Sequence, residues 1–360
     1  ERVPTLLLLV VAVGLALAVA QVFSAWWWAA AVLIGATLTD ALLLALLPRL
    51  GLSFGRAQGP LTLFTLGRYL LALPLGLLPD PGALIGLAVL QLALSGCSLW
   101  GHLIEPFRVE VVRVTAPILD APPARPVRLL LLTDLHVERW TRREERVLAL
   151  ARELSPDLVL FGGDLLNLSY VGDPRAAEDA RRLMRELMAL APLRAVLGNP
   201  TVEERSVVRP FWESLAVTPL DGTPERLVLG GAQLWLAGLP TTHHSAEDGR
   251  RLGALLERAP ELTREPSVLL YHLPELYEDA RGFDLYLCGH THGGQIRLPV
   301  IGPLLTASKA PRRLASGTHR VGTTLMHTSR GLGLEGSGAP RMRFLCRPEV
   351  TLITLTARAS

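Results

Sequence analysis

Hydrophobic and polar positions divide the chain into two regimes. Up to residue 104, apolar side chains fill four nearly unbroken stretches, 5–23, 28–47, 61–78 and 83–101. No polar stripe recurs along them at helical spacing, as it would on helices packed against a soluble core. Each stretch approaches the roughly 20 apolar residues needed to cross a bilayer, so residues 1–104 are predicted to form a four-span transmembrane helical anchor. From residue 127 onward the rhythm shortens. Apolar runs at 127–133, 158–161, 195–197, 268–271 and 285–288 alternate with segments of helical spacing at 142–154, 175–190, 246–259 and 275–281. More strand-like runs, at 227–229, 233–237, 323–328 and 350–355, crowd the second half. This alternation predicts an α/β domain over 127–360. The segment 105–126, which closes on Ala121-Pro122-Pro123-Ala124-Arg125-Pro126, is expected to be a linker.

Composition sharpens the first regime. With 49% hydrophobic residues and a mean hydropathy of +0.33, the chain is too apolar for a wholly soluble protein. Arg49 and Arg56 lie between the second and third stretches, and Arg108 and Arg113 follow the fourth. The connections at 26–28 and 78–81 carry no basic residue. The positive-inside rule therefore places the large domain in the cytoplasm, beneath an inner or plasma membrane. The opening run with Ala18-Val19-Ala20 also resembles a cleavable signal peptide, and cleavage there would leave three spans with the same final side. Asp40 and Arg68 fall at equal depth, about 10–12 Å from the inner boundary. They are expected to pair between spans two and three, the alternative being that Arg68 snorkels to the headgroups alone.

Candidate chemistry sits where the apolar runs of the second regime end. Thr133 leads into Asp134-Leu135-His136, Phe161 into Gly162-Gly163-Asp164, Leu197 into Gly198-Asn199, Tyr271 into His272, and Cys288 into Gly289-His290-Thr291-His292-Gly293-Gly294-Gln295. Taken singly, each has a plain structural explanation: a helix N-cap, two turn dipeptides, a core histidine, a loop with locally bonded imidazoles. Jointly they are oxygen and imidazole donors at five strand ends. In an α/β sheet such ends face a common crevice.

In this order the motifs resemble those of the calcineurin-like metallophosphoesterases, D-x-H, G-D, G-N-H, a lone H and G-H-x-H, over roughly 127–356. The resemblance implies that Asp134, His136 and His292 bind one divalent metal, that Asn199, His272 and His290 bind a second, and that Asp164 bridges the two. It implies a four-layer α/β/β/α sandwich of two sheets flanked by helices, with the runs 227–229, 233–237, 267–271, 323–328 and 350–355 in the second sheet. Manganese suits such donors as a first choice, with iron or zinc as alternatives. Ser329-Arg330-Gly331-Leu332-Gly333 and Arg347-Pro348-Glu349-Val350, with Gly293-Gly294-Gln295, look like a bacterial branch often linked to membranes.

One departure matters. The family's G-N-H is here Gly198-Asn199-Pro200-Thr201, so the histidine that would serve the leaving group is absent. Either the leaving group has a low pKa, as in a diphosphate, or another residue supplies the proton. His243, His244 and Tyr271 are the candidates, the two histidines being otherwise read as members of an exposed loop before a helix. The run 298–305 followed by Lys309, Arg312 and Arg313 reads either as an apolar lip with a basic rim for acyl chains and anionic headgroups, or as a packed surface loop. Arg330 joins Lys309 and Arg312 as a candidate substrate contact. Related membrane-linked members cleave UDP-2,3-diacylglucosamine, so a lipid-linked or nucleotide-linked phosphate is the expected substrate. A low-specificity phosphodiesterase, and a transport or sensory protein with a regulatory metal domain, are the other readings. The net charge of +3 and the lack of a basic run interleaved with aromatics give no case for nucleic-acid binding. Cys97, Cys288 and Cys346 are too few and scattered for a disulfide framework.

Overall fold

A computed structural model describes residues 5–52, 57–335 and 341–358. Arg56, used above for orientation, lies outside them. The chain forms two compact units, 1–104 with 335–342, and 105–334 with 343–360.

The first unit contains α1 (Thr5–Ala20), α2 (Trp26–Leu46), α3 (Gln58–Ala72) and α4 (Gly82–Leu103). Among the described residues three helical stretches are long and apolar enough to cross a membrane, Trp26–Leu46, Gln58–Leu77 and Gly82–Phe107. The expected fourth, α1, is described over 16 residues, shorter than those three among the described residues, and ends where the chain turns at Gln21 through Phe23. Small residues (Ala16, Ala20, Ala29, Ala30, Ala72, Ala83) line the bundle core around Leu33 and Leu87 and let backbones approach closely. Arg68 meets Asp40 as the depth argument expects: Nε lies 2.6 Å from Oδ2 and Nη2 2.9 Å from Oδ1. Its remaining donors reach Gln91 O and Oε1, both at 3.1 Å, and Ser95 Oγ at 3.1 Å, so the buried guanidinium is saturated.

The second unit runs β1 (Glu110–Leu119), β2 (Val127–Leu132), α5 (Arg142–Leu154), β3 (Leu158–Phe161), α6 (Pro174–Met188), β4 (Leu193–Ala195), α7 (Arg205–Glu213), β5 (Glu225–Leu229) and β6 (Ala232–Leu239). It continues with α8 (Ser245–Arg258), β7 (Ser267–Tyr271), β8 (Leu285–Cys288), β9 (Arg297–Leu298), β10 (Gly302–Pro303), β11 (Gly317–Val321), β12 (Thr324–Thr328) and β13 (Glu349–Ala357). One sheet has the order β1-β13-β2-β3-β4 and the other β11-β12-β8-β7-β6-β5. The strands that carry the candidate ligands, β2, β3 and β4 in one sheet and β7 and β8 in the other, are parallel within each sheet. Apart from Arg128, Arg194 and Ser267 near their starts, their side chains are apolar on both faces, as strands covered on both sides require. Leu129, Leu131, Leu158 and Leu160 pack against Val268, Leu270, Leu285 and Leu287 between the sheets. Leu130, Leu132, Val159 and Phe161 face Val147, Leu183 and Trp212 of α5 to α7. Leu269, Tyr271 and Tyr286 face Leu252 and Leu255 of α8. The layers are therefore helix, sheet, sheet, helix.

Two expectations change. Ten residues in the middle of the segment read as a linker form β1, paired in parallel with β13 from Glu110↔Glu349 onward, with Val114, Ala116 and Ile118 buried. Its period-two alternation was the available sign, masked by the prolines that follow. The helical spacing at 275–281 resolves into two short 3-10 turns, Pro274–Tyr277 and Asp279–Gly282, because Pro274 and Gly282 bracket too few residues for an α-helix.

Candidate metal centre

The loops after β2 and β3 are zipped together by their backbones. Asp134 N–H donates to Gly163 O at 2.9 Å, His136 N–H to Asp164 O at 3.1 Å and Val137 N–H to Leu165 O at 2.8 Å. Asp134, His136, Asp164, His290 and His292 adopt left-handed backbone conformations with φ between 40° and 69°. Asp and His tolerate that region better than most residues, and its clustering marks functional sites. Gly198 and Gly289 permit the close approach, since a Cβ on Gly198 would collide with the Asp164 carboxylate and one on Gly289 with that of Asp134.

The strand-end side chains converge. Asp134, His136 and His292 form one group whose donor atoms lie within 4.8 Å of one another, and Asp164, His272 and His290 form a second. Asp164 joins them, with Oδ2 3.6 Å from His136 Nε2 and 3.3 Å from His272 Nε2. Asn199 donates from its backbone N to Asp164 Oδ1 at 2.7 Å and from Nδ2 to Oδ2 at 2.6 Å. His290 N–H donates to both oxygens of Asp134 at 3.0 and 3.1 Å.

The donor set fits divalent cations. His272 Nδ1 is turned to Gly162 O at 2.8 Å, and His290 Nε2 to Ala307 O at 3.0 Å. Each carbonyl accepts the ring proton and leaves the opposite nitrogen aimed at the centre. Those opposite atoms, His272 Nε2 and His290 Nδ1, are buried without a hydrogen bond. His136 Nε2 and His292 Nε2 also face each other at 3.1 Å beside carboxylate oxygens. The unpartnered His272 Nε2 and His290 Nδ1, held beside the Asp164 carboxylate, are what a cation would satisfy.

Electrostatics agree. Burial alone would raise the Asp164 carboxyl, but His272 foremost, then His136 and His290, hold it well below the usual carboxylate range. Burial, then His272, pushes His290 down; burial, His136 and Arg343 push His292 well down. Both shifts favour the neutral imidazole, the form that can bind a cation. His272 is the exception: burial would lower it, yet Asp164 raises it to about 10. That proton would lie on the edge of the ring facing Asp164, the edge a divalent ion would need.

Of the proton-donor candidates, His243 is brought to the centre and His244 is not. His243 Nε2 contacts Asn199 Oδ1, and its ring meets that of His290 edge-on at 5.8 Å. His244 is exposed just before α8. Tyr271 OH donates to Asp248 Oδ2 at 2.6 Å. Lys309 lines a cavity of about 80 Å³ with His243, Tyr271, Glu275 and His290. Arg312 donates to Pro303 O, and Arg330 is engaged by the carboxylates of Glu349 and Glu110.

Two residues escaped the sequence reading. Glu203, fully buried, accepts N–H bonds from Leu165 at 2.7 Å and from Gly198, clamping the loops that carry Asp164 and Asn199; burial and the Asp164 charge push its carboxyl up to about 7. Its only sequence signal is an acid four positions after Asn199. Arg343, also fully buried, donates to the carbonyls of Arg330, Gly331 and Gly333 at 2.7–3.1 Å and stands 3.4 Å from His292 Nδ1. No motif marks it.

Residues 127–294 match the family described as Calcineurin-like phosphoesterase. The chain is similar to Phosphodiesterase YaeI of Escherichia coli (strain K12), with 30% identity over 271 residues that cover 71% of this chain and 91% of that protein. It is also similar to an uncharacterized metallophosphoesterase, YkuE, of Bacillus subtilis (strain 168), with 26% identity covering 75% and 93%. A Danio rerio protein described as a transmembrane protein with metallophosphoesterase domain is 27% identical, covering 68% of this chain and 57% of that one. From the converging donors and these relationships, the chain belongs to the calcineurin-like phosphoesterase family and is a metal-dependent phosphoester hydrolase.

Proposed function

We propose that this hydrolase is membrane-anchored through its apolar helices and cleaves lipid-linked phosphate or diphosphate esters at the inner leaflet, with UDP-2,3-diacylglucosamine as the sharpest candidate. The observation that carries the chemistry is the convergence of strand-end donors on Asp164. In this reading Asp134, His136 and His292 hold one divalent ion, Asn199, His272 and His290 a second, and Asp164 both, manganese being the first choice over iron or zinc. Bound ions supply Lewis acidity toward a phosphate oxygen and lower the pKa of water so that a nucleophile exists at neutral pH. The chain's own residues do the rest. Gly162 and Ala307 carbonyls fix the ring orientations of His272 and His290, and Glu203 holds the two loops in register. His243, against Asn199, is placed to give a proton to the leaving oxygen, a role open because Pro200 replaces the family histidine.

Anchoring favours a lipid-borne substrate, because a tethered site meets membrane molecules at raised effective concentration. The cytoplasmic placement rests on Arg49, Arg56, Arg108 and Arg113 and on the absence of basic residues at 26–28 and 78–81. The name of the E. coli relative, a phosphodiesterase, is compatible with a second reading, in which this chain is a phosphodiesterase of low specificity. A transport role is disfavoured because Arg68 and Asp40 are closed off by Gln91 and Ser95. The test is manganese-loaded full chain in detergent, offered UDP-2,3-diacylglucosamine, a phospholipid monoester and an aryl phosphodiester, with metal content measured by mass spectrometry. Release of UMP and two ions per chain, both lost in Asp164→Asn, are expected. Turnover of the aryl ester alone would replace the lipid reading with the second one.

A further inference from the structure

The segment after the His292 turn is built to present aliphatic side chains to its surroundings. β9 and β10 pair as a hairpin, Leu298↔Gly302 and Arg297↔Pro303, around a tip of Pro299, Val300 and Ile301. Val300 is 107% exposed, Leu305 80%, Ile301 61% and Leu304 47%. Val300 also sits at φ 66°, inside a three-residue turn closed by Ile301 N–H to Pro299 O at 2.7 Å. A γ-turn with positive φ is rare and strained, and a β-branched residue there is an outlier, since glycine or asparagine would fit at less cost. Folding stability alone selects against both the strain and the exposure. The hairpin is nevertheless firmly seated: Arg297 N–H donates to Phe344 O at 2.9 Å, Leu304 N–H to Ile296 O at 3.2 Å, and Ala307 O accepts from the His290 ring.

Charge identifies the occupant. From Leu285 to Leu334 the chain has no Asp or Glu, while Lys309, Arg312 and Arg313 follow the apolar tip directly and are exposed. One carboxylate reaches this flank, Glu275, which accepts from Ser308 Oγ at 2.9 Å and Lys309 N–H at 3.1 Å; against it stand three exposed basic side chains, so the apolar tip and its flank remain complementary to an anionic bilayer surface. A water-facing or protein-facing patch of this kind would more commonly mix signs. The same chain carries three helices long and apolar enough to cross a membrane.

We propose that residues 297–305 form a membrane-docking wedge whose aliphatic tip enters the acyl region of the bilayer while Lys309, Arg312 and Arg313 engage anionic headgroups. The proposal rests on the membrane-anchored reading above. It places a bilayer contact on the segment that also holds His290 through Ala307, so that a lipid phosphate would be met beside the metal centre.

The test uses the full chain in nanodiscs loaded with one copy each, in a Cys97→Ser background, since Cys288 and Cys346 are buried. An environment-sensitive fluorophore is placed at Val300→Cys, with Ile301→Cys as a second position should the first fail to fold. Val228→Cys, on another exposed valine (66%), serves as the control. Lipids with brominated acyl chains should quench the tip labels at least about twofold more than the control, and more strongly when phosphatidylglycerol is present. Tip labels that iodide quenches from water as readily as the control would overturn the wedge, and so would shielding that appears only in discs holding two copies. Insertion without turnover of UDP-2,3-diacylglucosamine in the same discs keeps the wedge and removes the lipid-linked substrate. Turnover with the tip in water does the reverse.

Discussion

His243 and Pro200 together set what the site can expel. A positioned general acid contributes about 10²–10⁴-fold, and only where the departing oxygen needs a proton. His243→Ala is therefore expected to slow an alkyl phosphodiester by about 10²–10⁴-fold while an aryl phosphodiester, whose leaving group departs as a stable anion, loses less than about tenfold. Rates across a series of leaving groups check this, and equal losses throughout would make His243 a substrate-positioning residue instead. The contrast between His243 and Glu203 also explains what could be read from the chain. Asp134, His136, Asp164, Asn199, His272, His290 and His292 were legible because each follows an apolar run, and strand ends share a crevice. Glu203 and Arg343 were not, because their importance lies in which backbone groups they reach once buried. Arg330 shows the opposite failure, since its motif was visible but its partners Glu349 and Glu110 were not.

At the scale of elements, legibility followed length and periodicity. The helix expected at 142–154 is α5, fixed at its start by Thr141 and Glu144 in a reciprocal capping box. α7 was missed, because nine residues interrupted by Pro210 give little pattern to read. The most specific expectation at this scale was the meeting of α2 and α3 through Asp40 and Arg68, derived only from equal depth. Both side chains are buried, so removing one charge strands the other. Asp40→Asn should cost about 3–5 kcal/mol of bundle stability, measured by denaturant titration in micelles, whereas a paired Asp40→Leu, Arg68→Leu replacement should cost less. If the single variant is as stable as the parent, the pair contributes nothing to the bundle, and its position within apolar helices would need a different explanation.

Across the whole molecule, the strands were readable but their neighbours were not. The run at 350–355, expected in the second sheet, is instead β13 of the first, between β1 and β2, because nothing in its apolar alternation names its partners. The two sheets are also tied by a polar network that no periodicity announces. His327 of β12 places Nε2 2.8 Å from Glu349 Oε1 of β13, Thr318 of β11 holds the other ring nitrogen at 2.9 Å, and Arg330 adds a bond to Glu349 at 2.7 Å. Burial would raise the Glu349 carboxyl, but the hydrogen bond and charge of His327, with Arg330, lower it from the ordinary 4.5 to about 2. A carboxyl depressed in the folded state stabilises the fold fully above its unfolded value, and that contribution fades as pH falls toward the folded one. The window here is therefore pH 4.5 down to about 2. A shift of that size corresponds to about 3 kcal/mol. Glu349→Gln should lose about that much at pH 7, and its stability should converge on that of the parent near the lower end of the window, as both chains become uncharged at this position. Urea unfolding of parent and variant across the range provides the measurement. Parallel curves from neutral pH to the acid limit would show that the Glu349 charge does not hold the two sheets together.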